Sequence, residues 1–188
     1  MSSELIASLR RIKPEKRTES LKPRDVSELP LLGHIATHPT KLLYDTTVYI
    51  DVLQDRFPED GDLVLRASAA WHCTVAEADL IAPLGFLDPS HPETAPSVKQ
   101  ILAAVEKMPA HRTLQPDREI WLEAAILSGI LARLQKYDKN NRKRVLNDAL
   151  LFSTARKHGL TVLTRNILDF DLLQQLEPTG RVLFYHRL

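Results

Sequence analysis

From Lys41 onward the apolar positions switch repeatedly between short runs and helical spacing. Leu42-Leu43-Tyr44 reads as a short buried strand that runs into Asp45-Thr46-Thr47, a helix-start signature. Ala70-Trp71-His72-Cys73 is a weaker strand, followed by a helix through Val75, Ala76, Leu80 and Ile81. Pro83, Pro89, Pro92 and Pro96 mark a loop. Helical spacing returns at Val98, Ile101, Leu102 and Val105, and again at Ile120, Ala124, Leu127, Ile130, Leu131 and Leu134. A further helix over Val145 to Lys157 is expected to stop at Gly159. Thr161–Thr164 then reads as a β-branched strand, Phe170 to Leu176 as a brief helix, and Val182 to Tyr185 as a last strand. Strands separated by helices imply right-handed crossovers and an α/β fold, with a mostly parallel sheet covered on both faces.

Residues 1–40 have a different pattern. Ser2/Ser3 are placed to cap a short helix whose Leu5, Ile6, Leu9 and Ile12 share a face. Lys13-Pro14 breaks it, and Lys16, Arg17, Lys22 and Arg24 follow in a proline-punctuated stretch. With too few apolar residues for a core of its own, this segment reads as an N-terminal extension to a domain over residues 41–188. Two roles stay open for it: a clasp for a partner or RNA, and a strap over its own domain.

Composition narrows the classes. At 188 residues, 44% apolar and 26% charged, the chain fits one well-buried globular domain rather than a disordered or disulfide-stapled one. Lys plus Arg number 25 against 24 Asp plus Glu, so any nucleic-acid contact must come from local patches. Cys73 is the only cysteine, which excludes an intrachain disulfide and fits a reducing compartment. At the start an acid precedes any apolar run and basic residues follow it, the reverse of a secretory signal. The longest uncharged apolar stretch, Ala124 to Ala132, is far short of a membrane span, so the expected location is cytoplasmic.

In an open parallel sheet, ligands bind beyond the carboxyl ends of the strands. Asp45 follows the first strand, Glu77 lies on the helix turn after the second, and Asn166 and Asp169 follow the Thr161–Thr164 strand. Asp148 lies in the helix that feeds that strand. Neither GxGxxG nor GxxxxGK[ST] occurs, which argues against a dinucleotide or P-loop site. Carboxylates gathered together repel unless a cation compensates, and Mg²⁺ or Mn²⁺ is the natural partner of carboxylate oxygens. Such ions serve phosphodiester hydrolysis. Each acid also has a plain structural explanation. Asp45, Asp148 and Asp169 suit helix starts, and Thr74-Val-Ala-Glu77 matches a capping box.

As a set, Asp45-Thr-Thr-Val-Tyr-Ile-Asp, Val75-Ala-Glu77, Asn147-Asp148-Ala-Leu and Thr164-Arg-Asn166-Ile-Leu-Asp169-Phe170 resemble the ordered motifs of PIN domains, in particular the VapC-like toxin ribonucleases of type II toxin–antitoxin systems. The resemblance spans the chain from Lys41 onward. It implies a three-layer α/β/α sandwich and a Mg²⁺- or Mn²⁺-dependent endoribonuclease that leaves a 5′-phosphate and a 3′-hydroxyl. Carried over by position, it makes Asp45, Glu77, Asp148 and Asp169 the catalytic and metal-site acids. Thr164 and Asn166 become supporting residues, and Thr46 orients Asp45 or water. A cognate antitoxin partner and a possible homodimer are also implied. The forty-residue extension departs from the family pattern.

An acidic pocket needs nearby cations to accept RNA. Lys136, Lys139, Arg142, Lys143 and Arg144 precede Asp148, and Arg165 lies between two motifs, so these are candidate phosphate contacts. A solvated basic helix start is the competing explanation. His34 and His38 stand four apart without a third ligand at metal spacing. Cys73, Trp71 and Trp121 read as core. The helices around Val98–Val105 and Ile120–Leu134 offer apolar surface for an antitoxin, for self-association or for the core. Two other functional readings remain: a catalytically inactive PIN-like module that binds RNA or protein, and a haloacid-dehalogenase-type phosphatase using Asp45. In the latter motif the second acid would stand where this chain has Thr47.

Overall fold

A computed structural model describes residues 3–34 and 39–188. Ser2 and His38, and with them the serine cap and the histidine pair, lie outside the described residues. The elements are α1 (Ser3–Ile12), β1 (Lys41–Tyr44), α2 (Thr46–Leu53), α3 (Glu59–Ala67), β2 (Ala69–Cys73), α4 (Thr74–Ile81), α5 (Thr94–Glu106), β3 (Thr113–Leu114), α6 (Arg118–Leu134), α7 (Lys139–Lys157), β4 (Thr161–Thr164), α8 (Ile167–Leu176) and β5 (Arg181–Phe184). The strands form one parallel sheet in the order β3-β2-β1-β4-β5. The chain starts in the middle of the sheet, builds β2 and β3 to one side, then crosses to β4 and β5. That crossing creates a switch point between β1 and β4, where a parallel sheet opens a crevice at its carboxyl edge.

Alternation along the strands sets the layers. Leu43, Val162, Val182 and Phe184 face one core with Ala124, Leu127, Leu131, Leu150, Phe152 and Leu173 of α6, α7 and α8. Leu42, Tyr44, Leu163 and Leu183 face the other core, with Val48 of α2, Val64 of α3 and Phe57 between them. The result is the expected three-layer α/β/α sandwich.

Several details differ from the sequence reading. α7 begins at Lys139, not Val145, because Asp138 caps it through a 2.8 Å bond from Asn141 N–H. The basic run is therefore helical. Gly159 terminates α7 as expected, with φ of 66°. α8 starts at Ile167, capped by Asn166. α3 and the two-residue β3 carry too little apolar signal to have been read. Trp121 is 48% exposed rather than core, since it points away from the α6 face that packs on α7. Trp71 is half-buried.

The N-terminal extension lies along its own domain. α1 packs on α6, and Ile12, Leu29 and Leu31 are buried in the same core as Leu43 and Phe184. Arg11 pairs with Glu123 and with Glu177, and Arg156 of α7 also binds Glu123 at 2.6 Å. Further along, Arg24 binds Asp171 of α8 at 2.6 Å, Arg17 donates to the Leu176 carbonyl, and Leu31 bridges to Phe184 of β5. Among the described residues, no helix is long and apolar enough to cross a membrane.

Candidate active site

Asp45 stands where β1 ends and α2 begins. It is 4% exposed, and every oxygen has a donor. Thr46 N–H donates to Oδ1 at 2.7 Å, while the hydroxyls of Thr47 and Thr164 donate to Oδ2 at 2.7 Å each. Thr164 is the last residue of β4, so this contact joins the two central strands at the switch point. Burial still raises the Asp45 carboxyl above its ordinary range, against the pull of those three donors.

Asp169 lies in the first turn of α8 and is 2% exposed. Tyr137 OH donates to its Oδ1 at 2.9 Å, and Arg144 donates to its Oδ2 at 2.8 Å. Asn166 Nδ2 sits 3.1 Å from Asp169 Oδ2 and 3.1 Å from Asp148 Oδ2, bridging the two acids. The Asn166 backbone N–H in turn donates to Thr164 Oγ1 at 2.9 Å, which links this pair back to Asp45. Thr164 and Asn166 thus sit where a supporting role needs them.

Asp148 is the least compensated of the three. Burial lifts its carboxyl well above the ordinary range, and the charges of Asp45, Asp169 and Asp79 add to that, with Arg144 opposing. An acid felt by three others is the electrostatic centre of the group.

Asp79 escaped the sequence reading. Asn147 Nδ2 donates to its Oδ1 at 2.7 Å. Burial and the Asp45 charge raise its carboxyl, while Asn147, Thr46 and Lys143 oppose. Glu77 lies two residues earlier, about 200° around the helix. Its charge is felt at the Tyr49 phenol and the Cys73 thiol. The capping box is absent. Cys73 occupies the cap position, no side chain caps α4, and Thr74 is already helical. The available signal for Asp79 was helical phase, which depends on where α4 starts.

The basic candidates divide in two. Lys143 and Arg144 act on the acids themselves, at Asp79 and Asp169. Arg142 donates to the Tyr137 carbonyl at 3.1 Å, and Lys139 opens α7. Arg165 donates to buried Asp51 at 2.7 Å, and its backbone N–H reaches Thr47 Oγ1 at 3.2 Å. Tyr185 OH donates to the same Asp51 oxygen at 2.8 Å. Cys73 is fully buried, and burial pushes its thiol up, as suits an inert core residue.

Among the described residues, no three carboxylate, imidazole or thiol groups already stand close enough to share a cation. The chemistry of the donor set nevertheless suits a hard divalent ion. Its members are carboxylates and hydroxyls, Asp148 is under-compensated, and the buried Thr46 hydroxyl acts on Asp79.

A parallel α/β/α sandwich with acids gathered at the β1/β4 switch point places the chain in the PIN-like fold class. Its solved neighbours are specific. They include VapBC2 from Rickettsia felis bound to a DNA fragment from their promoter, at 13% identity and a TM-score of 0.54, covering 78% of this chain and 98% of that one. FitAcB from Neisseria gonorrhoeae matches at 19% identity and a TM-score of 0.55, over 76% of this chain and 96% of that one. VapBC-5 from Mycobacterium tuberculosis, a member of the VapBC family of toxin–antitoxin systems, matches at 19% identity and 0.51, over 79% and 100%. At these identities the likeness is one of fold. No protein-family model matches the sequence, and no curated protein matches it.

Proposed function

We propose that the chain is a metal-dependent endoribonuclease and the toxin of a toxin–antitoxin pair. The observation that carries this reading is Asp148, bridged to Asp169 through Asn166 and raised first by its burial and then by the charges of Asp45, Asp169 and Asp79. A protein keeps such mutual repulsion where a ligand relieves it. Asp45, Asp148 and Asp169 would hold Mg²⁺ or Mn²⁺, with a fourth carboxylate from α4. The motif resemblance favours Glu77 for that place, and the electrostatic coupling favours Asp79. When bound, the cation supplies neutralisation of the phosphate charge and activation of water. Thr164 and Thr47 fix the Asp45 carboxylate, Asn166 fixes Asp148 relative to Asp169, and the Thr46 hydroxyl acts on Asp79. Lys139, Arg142, Lys143, Arg144 and Arg165 supply positive charge for RNA phosphates.

A protein partner suits the surface near the site. No residue of α5 is buried, and Leu102, Val52 and Phe86 are exposed around it. Of the solved neighbours, VapBC-5 belongs to the VapBC family of toxin–antitoxin systems and VapBC2 is bound to a DNA fragment from their promoter, which supports an antitoxin as that partner. A phosphatase using Asp45 as nucleophile is disfavoured, because three donors engage both carboxylate oxygens.

Incubating structured RNA with the full chain in Mg²⁺, Mn²⁺ or EDTA tests the reading. Cleavage by wild type in either metal, none in EDTA, and none by Asp148→Asn is the expected pattern. Metal-independent cleavage, or an Asp148→Asn variant as active as wild type, overturns it. Binding of RNA without cleavage in any condition would instead favour the inactive binding module.

A further inference from the structure

The contact between Arg144 and Asp169 is unequal. The Arg144 side chain is 64% exposed, whereas that of Asp169 is 3% exposed. A buried carboxylate needs compensation, but a largely solvated guanidinium loses little by leaving. Three donors crowd Asp169: Tyr137 takes Oδ1, and Arg144 and Asn166 share Oδ2. Of these only Arg144 carries a full positive charge, so it is the donor that repels an approaching divalent cation most, and being exposed it yields most easily.

α7 supplies the means of exchange. Arg144 lies one helical turn before Asp148 on the same helix, and four residues is the spacing that stacks side chains on one face. Its neighbours Lys143 and Arg142 sit on the same exposed opening turns of α7. A guanidinium held there by an acid is ready to move to another anion, and a phosphate offers the matching bidentate geometry.

We propose that Arg144 is an internal counter-ion for Asp169, which competes with the divalent cation and passes to an RNA phosphate when the cation loads. The proposal rests on the nuclease reading of the site. It makes the cation and the RNA backbone cooperative ligands, since each removes one half of the same ion pair. Arg144 then is a positioning residue in the free protein and a substrate contact in the loaded one.

The test is a Mn²⁺ titration of the full chain without RNA, read by the electron paramagnetic resonance of free Mn²⁺. Wild type is compared with Arg144→Ala, Arg144→Lys and Asp148→Asn. Expected is Mn²⁺ binding about threefold to tenfold tighter in Arg144→Ala, as removal of one competing ion pair predicts. Arg144→Lys, which keeps the charge, should stay near wild type, and Asp148→Asn should lose the site. In a second arm, Mn²⁺ should tighten RNA binding less in Arg144→Ala than in wild type. Unchanged or weaker Mn²⁺ binding in Arg144→Ala, with the site intact in wild type, overturns the exchange and leaves the nuclease reading standing. Mn²⁺ binding that survives Asp148→Asn, or is absent from every variant, overturns both.

Discussion

Two groups of carboxylates in this molecule are treated in opposite ways. At the anchor of the extension, Glu123 and Glu177 are 3% and 0% exposed, and each meets arginine: Arg11 binds both, and Arg156 binds Glu123 through two nitrogens. Burial alone would raise the Glu177 carboxyl, yet the hydrogen bonds from Thr179 and Arg11 outweigh it and hold the group below its ordinary range. At the switch point, Asp45, Asp79 and Asp148 are all raised, and Arg144 is the one arginine that opposes the Asp148 shift among its leading causes. Glu177 and Asp148 are both buried, yet the first is held down by donors within the chain and the second is pushed up. In the proposed function a cation completes the second group, whereas the first is compensated by the chain itself.

The sharpest way to break that comparison is to neutralise one acid in each group. Asp148→Asn should lower RNA cleavage by about a hundredfold or more, as loss of a metal-holding group does. The same change should raise stability by about 1 kcal/mol, since it removes repulsion and keeps the shape. Thermal unfolding would show this as a rise of roughly 3 °C for a domain of this size. Glu177→Ala should do the reverse in both respects. Cleavage stays near wild type, and stability falls by about 3 kcal/mol because Arg11 and Thr179 lose their acceptor. Matching stability losses in the two variants would erase the distinction.

Within the acidic group, Asp79→Asn should lower cleavage more than Glu77→Gln, by about tenfold, if coupling to Asp45 and Asp148 decides the fourth carboxylate. Steady-state rates for the two variants side by side check this. The opposite order would restore Glu77 and show that helical phase misleads here.

Stability against pH should split the groups as well. The folded Asp148 pKa lies above its unfolded value, so its contribution is fully present below about pH 3.8 and is lost as pH rises through the folded value. The stability advantage of Asp148→Asn over wild type should therefore grow from acid toward neutral pH. The folded Glu177 pKa lies below its unfolded value, so its contribution is present above about pH 4.5 and is lost as pH falls through the folded value. The deficit of Glu177→Ala should accordingly shrink on acidification. Denaturant midpoints measured across pH for the three proteins read out both trends.

The smallest effect is expected at the rim. Arg142→Glu should weaken cleavage about threefold and flatten its salt dependence, because the side chain bonds the carbonyl of Tyr137, the residue whose hydroxyl holds Asp169. Rates at two salt concentrations suffice to see it.

What the sequence made legible follows from distance along the chain. Asp45, Asn166 and Asp169 follow strands closely and Thr164 ends one, so finding β1 and β4 was enough to place them. The three longest helices, α5, α6 and α7, showed themselves through spacing, and Gly159 marked where α7 ends. Asp79 required knowing that Cys73 rather than Thr74 caps α4, a shift too small for composition to reveal. The start of α7 was hidden because its first two turns are polar all round, and only the Asp138 cap betrays them. The lock at Glu123 and Glu177 joins residues more than a hundred positions apart, beyond the reach of local pattern.

The bridge from Leu31 to β5 has a consequence for how the molecule behaves in a crowd. β5 is the last strand of its sheet, and a bare strand edge is a template on which another chain can add itself. Here Phe184 N–H donates to the Pro30 carbonyl at 2.9 Å, and Leu32 N–H donates to the Phe184 carbonyl at 2.7 Å. The edge is thus already answered from within, with a proline in the segment that answers it. At the opposite side the sheet ends in β3, only two residues long. One border is bridged at the end of its strand and the other is too short to copy, which gives a growing aggregate less to hold.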